Sequence, residues 1–206
     1  MWCNGSISVS KTDGAGSIPA TPAKHKYEVN CYKKLDIVNH TAISDKMYEF
    51  VVNQTPILKR KIFWSYVNVH QVFKFIPELK DITDSYSIEV AAIAVIYAPP
   101  GFEGAVHIDY AKDTRILWPI KNCEGSYTRF FNIDPKYIER ARLENNEPYY
   151  KITQDEPYEL IEQLELLQPV MFDSSIAHGV YTNPLCQEPR LTFTIRSKES
   201  LKHLLV

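Results

Sequence analysis

From Ser87 to Ser197 the sequence is a succession of short segments rich in β-branched and aromatic residues, divided by turn-forming residues. The segment SIEVAAIAVIY (Ser87–Tyr97) is continuously apolar, which is typical of a strand buried on both faces. The last segment, RLTFTIRS, alternates apolar and polar side chains, which is typical of a strand with one face in water. The segments predicted as strands are Ser87–Tyr97, Ala105–His107, Arg115–Ile120, Tyr127–Ile133, Glu147–Thr153, Pro169–Asp173, His178–Thr182 and Arg190–Ser197.

A helical region precedes these strands. Ser44–Thr55 places Met47, Phe50 and Val51 at helical spacing before Pro56, and Val67–Leu79 is predicted to be helical or mixed. A polar stretch at Pro135–Asn146 is predicted to be partly helical. About eight strands after a helical start predict an α+β, mainly β fold. We expect a two-sheet jelly roll with a core over about residues 86–197 and N-terminal helices packed on one sheet.

Residues 1–24 differ from the rest of the chain. MWCNGSISVSKTDGAGSIPATPAK is rich in Gly, Ser, Thr, Ala and Pro, so it predicts disorder. When GSIPATPA is back-translated it resembles the T-arm and acceptor end of a transfer-RNA gene. We therefore predict that the start codon was assigned inside a transfer-RNA gene. The same resemblance favours a viral or bacterial origin. Residues 25–206 are predicted to form a single domain.

Composition argues against some classes of partner. The chain is 45% hydrophobic and carries a formal net charge of −2. It therefore lacks the excess of basic residues that is typical of proteins that bind nucleic acids or membrane surfaces. No apolar run is long enough to cross a bilayer. The four cysteines are scattered, without a C-x-x-C pair, which predicts a reducing, cytoplasmic setting. The oligomeric state is left open.

The segment GAVHIDYAKDTRILWPI contains an H-x-D pair, His107 and Asp109. At the end of a strand, residues i and i+2 point to the same side, so both side chains can face one ion. Such a pair is common by chance, and its meaning depends on the residues further along the chain. A further histidine, His178, lies between two predicted strands, and Arg190 opens the final strand.

With these residues the chain resembles the iron(II)- and 2-oxoglutarate-dependent oxygenases, and is most similar to their aspartyl/asparaginyl β-hydroxylase-like branch. The matching segments are RILWPI (Arg115–Ile120), FDSSIAHGVYTN (Phe172–Asn183) and RLTFTIR (Arg190–Arg196). The resemblance covers roughly Ile88–Arg196, half of the chain. It implies a double-stranded β-helix, the cupin-like form of the jelly roll.

The resemblance implies a catalytic metal site of His107, Asp109 and His178 that holds Fe(II). Two imidazoles and one carboxylate on one side of a ferrous ion leave positions open for 2-oxoglutarate and O2. Arg190 is implied as the cation that binds the far carboxylate of 2-oxoglutarate, and Arg115 as a second cosubstrate-binding candidate. The implied activity is a dioxygenase that hydroxylates an amino-acid or peptide side chain, or another small metabolite, with release of succinate and CO2.

Each of these residues also has a structural interpretation. His107 and His178 could be ordinary strand-end histidines, Asp109 a turn residue, and Arg115 an exposed strand-edge charge. Arg190 could pair with a surface carboxylate such as Glu188. Trp118 is expected in the core rather than in the pocket, whereas Ser126 and Arg129 are weaker candidates for ligand contact. The remaining histidines, His25, His40, His70 and His203, fall outside the pattern.

Two other functions stay open. A cupin-like metalloenzyme that does not use 2-oxoglutarate would keep the metal and tolerate loss of Arg190. A non-catalytic jelly roll, such as a virion or sugar-binding module, would hold the two histidines far apart. The region before Ile88 matches nothing recognisable, so the resemblance does not identify the substrate. The presence of Asp109 favours free-amino-acid or peptide hydroxylases of bacterial type, because the vertebrate-type enzymes lack this carboxylate.

Overall fold

The computed structural model describes residues 30–61, 63–109, 114–142, 148–155 and 157–205. Its elements are, in chain order, β1 (Tyr32–Lys34), α1 (His40–Gln54), α2 (Ile57–Arg60), β2 (Trp64–Val67), α3 (Val69–Phe75), α4 (Pro77–Ser85), β3 (Val90–Ala98), β4 (His107–Asp109), β5 (Thr114–Lys121), β6 (Tyr127–Asn132), β7 (Ile138–Arg142), β8 (Pro148–Ile152), β9 (Glu159–Glu165), β10 (Val170–Asp173), β11 (Ala177–Tyr181) and β12 (Arg190–Ser197). Short 3-10 turns cover Pro135–Tyr137 and Lys202–Leu204. The disorder and the displaced start predicted for residues 1–24 fall outside the described residues.

The strands form two six-stranded antiparallel sheets. The first sheet has the order β1-β10-β5-β12-β3-β2, and the second sheet has the order β7-β8-β4-β11-β6-β9. Leu117 and Phe172 of the first sheet pack in one cluster with Phe130 and Leu164 of the second, so the sheets enclose an interior between them. The predicted mainly β jelly roll is confirmed.

The helices cover the outer face of the first sheet, as predicted. Ile43, Met47 and Phe50 of α1 recur at helical spacing and are buried in one cluster with Trp118 of β5 and Phe193 of β12. The Phe50 and Phe193 rings meet edge to face at 6.4 Å. A large apolar layer therefore holds the outer side of this sheet rigid, while its inner side is free to form a site.

The alternation of apolar and polar residues in β12 does not mark a strand with one face in water, as its sequence predicted. Leu191, Phe193 and Ile195 face the helices. Thr192 and Thr194 therefore face the second sheet, and both are almost completely buried. The polar face of this strand is turned into the interior of the barrel and not into water, because both sides of the first sheet are covered.

The helix boundaries differ from the predicted ones for local reasons. α1 begins at His40, four residues before Ser44, and ends before Pro56 as predicted. The segment Val67–Leu79 is divided: Val67 closes β2, and α3 stops at Ile76 because the residue before a proline disfavours the α-helical region. Pro77 then begins α4.

The structure has more strands than the sequence predicted. β1 lies before the first predicted helix, β2 lies between the two predicted helical segments and shares only Val67 with the second, and β9 (ELIEQLE) was not predicted. In the stretch Pro135–Asn146, predicted to be partly helical, Pro135–Tyr137 forms a 3-10 turn, whereas Ile138–Arg142 forms β7 and pairs with β8. Positions 143–146 fall outside the described residues. In β7 and β9, pairing with a neighbouring strand outweighs the helical propensity of Glu, Gln, Leu and Arg.

No helix within the described ranges combines the length and the apolar character of a transmembrane span; the longest, α1, has 15 residues.

Candidate metal centre

The two histidines of the sequence pattern meet across neighbouring strands. His107 of β4 and His178 of β11 are direct partners in the antiparallel register, and their ring centroids lie 4.7 Å apart. Asp109, two residues further along β4, places Oδ1 3.8 Å from His107 Nε2. One ligand atom from each of the three residues lies within 4.8 Å of the others. This arrangement contradicts the alternative in which the histidines lie far apart.

A backbone carbonyl fixes the orientation of each imidazole. His107 Nδ1 lies 3.0 Å from the carbonyl oxygen of Ala105, and His178 Nδ1 lies 2.8 Å from that of Ile176. Because a carbonyl can only accept, the proton of each neutral ring belongs on Nδ1, and the lone pair is left on Nε2. Both rings are therefore prepared to bind a metal through Nε2, which is the usual role of such second contacts at metal-binding histidines.

Asp109 is held by a buried cation. Arg115, at the start of β5, places Nε 2.6 Å from Asp109 Oδ2, and the two side chains are 12% and 16% exposed. β5 lies between β10 and β12, so the interpretation of Arg115 as an exposed strand-edge charge is wrong. The ion pair occupies Oδ2 and leaves Oδ1 on the side of His107.

His178 is neutral at physiological pH. Burial, and then the nearby His107, lowers the pKa of His178 to about 4. The rings of Phe130 and Phe172 stand 6.3 Å and 5.2 Å from the His178 ring and form the apolar wall that excludes water. A neutral imidazole is the form that binds a metal, so no proton has to be removed first.

Arg190 is a buried cation without a counter-ion in the described part of the chain. It is 2% exposed, and its Nε and Nη2 atoms have no hydrogen-bond partner among the described residues. Burial lowers the pKa of its guanidinium, with the thiol of Cys123 acting in the opposite direction. This excludes the surface pairing with Glu188 and leaves a fork-shaped donor that fits a carboxylate.

Small and polar side chains lie along part of the interior near Arg190. In the register, Arg190 lies opposite Ala98, Thr192 opposite Ile96, and Thr194 opposite Ala94. The hydroxyls of Thr192 and Thr194, and that of Thr128 from the second sheet, are buried without partners among the residues described. Small residues and unsatisfied donors on one face are the features expected of a site that binds a polar ligand.

Comparison with solved structures identifies the fold. The chain superposes on the epimerase SnoN, in a structure described as a complex with Fe3+, alpha ketoglutarate and nogalamycin RO, with a TM-score of 0.50 and 12% identity. The match covers 80% of this chain and 77% of SnoN. The chain shares its jelly-roll fold with this iron- and alpha-ketoglutarate-binding protein.

Two further oxygenase structures are similar at lower scores. The non-heme monooxygenase ThoJ gives a TM-score of 0.49 at 12% identity over 80% of this chain and 72% of that one. A Pseudomonas putida prolyl-4-hydroxylase gives 0.47 at 11% identity over 82% and 94%. No protein-family model matches the sequence, and no curated protein matches it. The resemblance to the aspartyl/asparaginyl branch stays a prediction.

The other candidates of the sequence occupy different places in this oxygenase fold. Trp118 lies in the core on the helix side, as expected, and donates from Nε1 to Ser44 Oγ at 3.0 Å. Arg129 stacks on Tyr181 and donates to Gln163 on the outer face of the second sheet, away from the metal-binding cluster, and its ligand contact stays a prediction. Ser126 is buried and accepts from the backbone N–H of Asn183.

Sequence reasoning missed part of the oxygenase-fold interior. Trp64 of β2 lies in the region without recognisable resemblance, and its short strand carries no clear alternation. The two threonines of β12 were visible as an alternating pattern, but their direction depends on what covers each face of the sheet. His40, His70 and His203 do not belong to the metal-binding cluster, and His25 falls outside the described residues.

Proposed function

We propose that this protein is an iron(II)- and 2-oxoglutarate-dependent oxygenase that hydroxylates a side chain of an amino acid or peptide, or another small metabolite. The observation that carries the proposal is the convergence of His107, Asp109 and His178 in the same interior that holds the Arg190 guanidinium, whose Nε and Nη2 have no partner among the described residues.

The donor set suits iron. His107 and His178 offer two neutral nitrogens, and Asp109 offers one carboxylate oxygen, which is the ligand set of non-heme iron oxygenases. Bound iron and 2-oxoglutarate supply the oxidative decarboxylation of the keto acid by O2, which yields succinate and CO2, together with oxygen insertion into a substrate C–H bond. The chain itself orients the ligands, excludes water and neutralises charge.

Arg190 binds the far carboxylate of 2-oxoglutarate. An isolated buried charge is unfavourable by several kcal/mol, and a bidentate carboxylate removes this cost. Because 2-oxoglutarate brings the missing anion, binding satisfies Nε and Nη2 of Arg190 at the same time. Residues with this property discriminate strongly against ligands that lack the carboxylate.

Arg115 acts as a positioning residue. Its ion pair with Asp109 Oδ2 directs the carboxylate toward the histidines, in the way that outer contacts orient metal ligands. The substrate reaches the metal from the side of His107, whose side chain is 34% exposed whereas His178 is buried. Tyr149 of β8, with its ring 6.4 Å from that of His107, lines this side.

The test is an anaerobic titration of the apo-protein with Fe(II) and 2-oxoglutarate, followed by the visible charge-transfer band of an iron-chelated keto acid. We expect the band in the wild type, its loss in His178→Ala and a large drop in apparent 2-oxoglutarate affinity in Arg190→Ala. Arg129→Ala is the matched control, because it removes an arginine from the outer face of the second sheet.

The outcomes separate the alternatives. Iron binding without the band, unchanged by Arg190→Ala, would favour a cupin-like metalloenzyme that does not use 2-oxoglutarate. If folded wild-type protein binds no metal, the proposal is wrong. That result would favour the alternative of a non-catalytic jelly roll. Residence in the cytoplasm and the absence of a nucleic-acid partner stay predictions.

A further inference from the structure

Trp64 brings an unused hydrogen-bond donor to the interior of the barrel. It lies on β2, opposite Ile96 of β3, which in turn lies opposite Thr192 of β12. Ile93 and Val95 of β3 face the helices, so Ile96 and its partner Trp64 face the second sheet. The indole Nε1 atom is buried and has no acceptor among the described residues.

The Trp64 ring also contacts the group that holds Asp109. Arg115 Cζ lies 5.9 Å from the centroid of the Trp64 ring, within the range of a cation–π interaction. The same guanidinium makes the 2.6 Å contact with Asp109. Trp64 therefore contacts the cation that holds Asp109, and in register it is aligned with Thr192 of the inward-facing face of β12.

Trp118 and Trp64 differ in what their buried indole N–H groups meet. Trp118 gives its indole N–H to Ser44 within the helix-side core. Trp64 has no such acceptor within the described ranges, although an unsatisfied buried donor is unfavourable and rare in folded proteins. A donor left open at a polar interior surface indicates that a ligand supplies the acceptor.

We propose that Trp64 is a ligand-contacting residue, with its Nε1–H donating to a carboxylate oxygen of the bound keto acid and its ring holding Arg115 against Asp109. This inference rests on the proposed function, because it takes 2-oxoglutarate as the ligand of this interior. It assigns a specificity-determining contact to a strand outside the region of family resemblance. A donor at this position favours ligands that carry an oxygen acceptor over ligands that lack one.

The test uses the full chain labelled with 15N at the tryptophan indoles, loaded with Zn(II) as a redox-inert, diamagnetic ion. The sequence has three tryptophans, so three indole cross-peaks are expected, and Trp64→Phe and Trp2→Phe assign them. Addition of 2-oxoglutarate should move the Trp64 cross-peak downfield and leave that of Trp118 in place. Calorimetry of the same samples gives the dissociation constant of 2-oxoglutarate.

Trp64→Phe keeps a ring for Arg115 but removes the donor, so we expect 2-oxoglutarate to bind about tenfold more weakly. The matched control is Trp118→Phe, which makes the same chemical change on the helix side and should leave this dissociation constant unaltered. If 2-oxoglutarate binds to the wild type while the Trp64 cross-peak stays in place and Trp64→Phe binds equally well, this inference is wrong and the proposed function stands. If the metal-loaded wild type does not bind 2-oxoglutarate, both fail.

Discussion

At the scale of single residues, each side chain of the candidate metal centre is oriented by one identifiable contact. The carbonyls of Ala105 and Ile176 hold the two imidazoles, and the Arg115 guanidinium holds Asp109. Such contacts matter because a metal site has to be formed before the ion arrives, and a freely rotating carboxylate would lose entropy on binding.

Replacement of Arg115 by methionine should weaken metal binding. The change removes the partner of Asp109 Oδ2 while keeping a side chain of similar length, so we expect the affinity for Co(II) to fall by about 10- to 100-fold. An absorbance titration in the absence of 2-oxoglutarate measures this directly. Arg129→Met, the same substitution on the outer face, is the control, and equal affinities in both variants would show that Arg115 does not position Asp109.

At the scale of elements, β12 contributes one face to the helix-side core and the other face to the interior of the candidate site. Its odd-numbered residues pack under the helices, and its even-numbered residues present hydroxyls and a guanidinium to the interior. The hydroxyls contribute nothing to the stability of the apo-protein, since a buried polar group without a partner is unfavourable. Stability and ligand binding are therefore in conflict along one face of this strand.

The substitution Thr194→Val tests whether the buried hydroxyl lowers the stability of the apo-protein. It exchanges an unpartnered hydroxyl for a methyl group of the same shape, so the free energy of unfolding of the apo-protein should rise by about 1 kcal/mol. Thr83→Val is the matched control, because the buried Thr83 hydroxyl donates to the carbonyl of Lys80 and its loss should destabilise. Urea unfolding measures both variants; a loss of stability in Thr194→Val would mean that its hydroxyl has a partner after all.

A second element-scale feature joins α1 to β5. Ser44 Oγ donates to the carbonyl of Pro119 and accepts from Trp118 Nε1, which fixes the helix on the sheet by buried hydrogen bonds. Ser44, at which the predicted helix began, therefore lies inside α1 and links the helix to the strand behind it.

Ser44→Ala should leave Trp118 Nε1 unsatisfied in the core and lower the free energy of unfolding by about 1–3 kcal/mol. Ser85→Ala removes an exposed serine hydroxyl that bonds only within its own helix, and it should change stability by less than about 0.5 kcal/mol. Urea denaturation of the two variants side by side provides the comparison. Similar small losses would mean that the contact with Trp118 adds little.

At the scale of the whole molecule, burial of His178 links stability to pH. Its pKa is lowered, by burial first and His107 second, to about 4 from the ordinary histidine value of 6.5, so the folded apo-protein resists the proton that the unfolded chain accepts. The unfolded chain binds this proton from about pH 6.5 downward and the folded chain only near pH 4. The free energy of unfolding therefore falls as the pH falls between these values, and this contribution disappears above them.

The expected loss from His178 is about 3 kcal/mol between pH 6.5 and 4, and unfolding experiments at a series of pH values measure it. His178→Gln should flatten the slope relative to the wild type, whereas the control His70→Gln, at an exposed position of α3, should not. An unchanged slope in His178→Gln would show that other groups cause the acid sensitivity.

The sequence by itself determined the class of fold and which residues form the candidate metal centre. Alternation and continuous apolar runs are properties of neighbouring residues, so the long strands β3, β5 and β12 could be recognised from them. His107, Asp109, His178 and Arg190 stood out because their residue types and order are specific to one chemistry. The short or charged strands β1, β2, β7 and β9 lacked such a local pattern.

Only the tertiary structure decided how these residues act together. The ion pair of Arg115 with Asp109, the inward direction of Thr192 and Thr194, and the placement of Trp64 beside Arg115 depend on register between strands distant in sequence. Periodicity shows that a strand has two faces, but which face is covered, and by what, is set by the packing of both sheets and the helices. Buried charges and donors without partners become visible only when that packing is known.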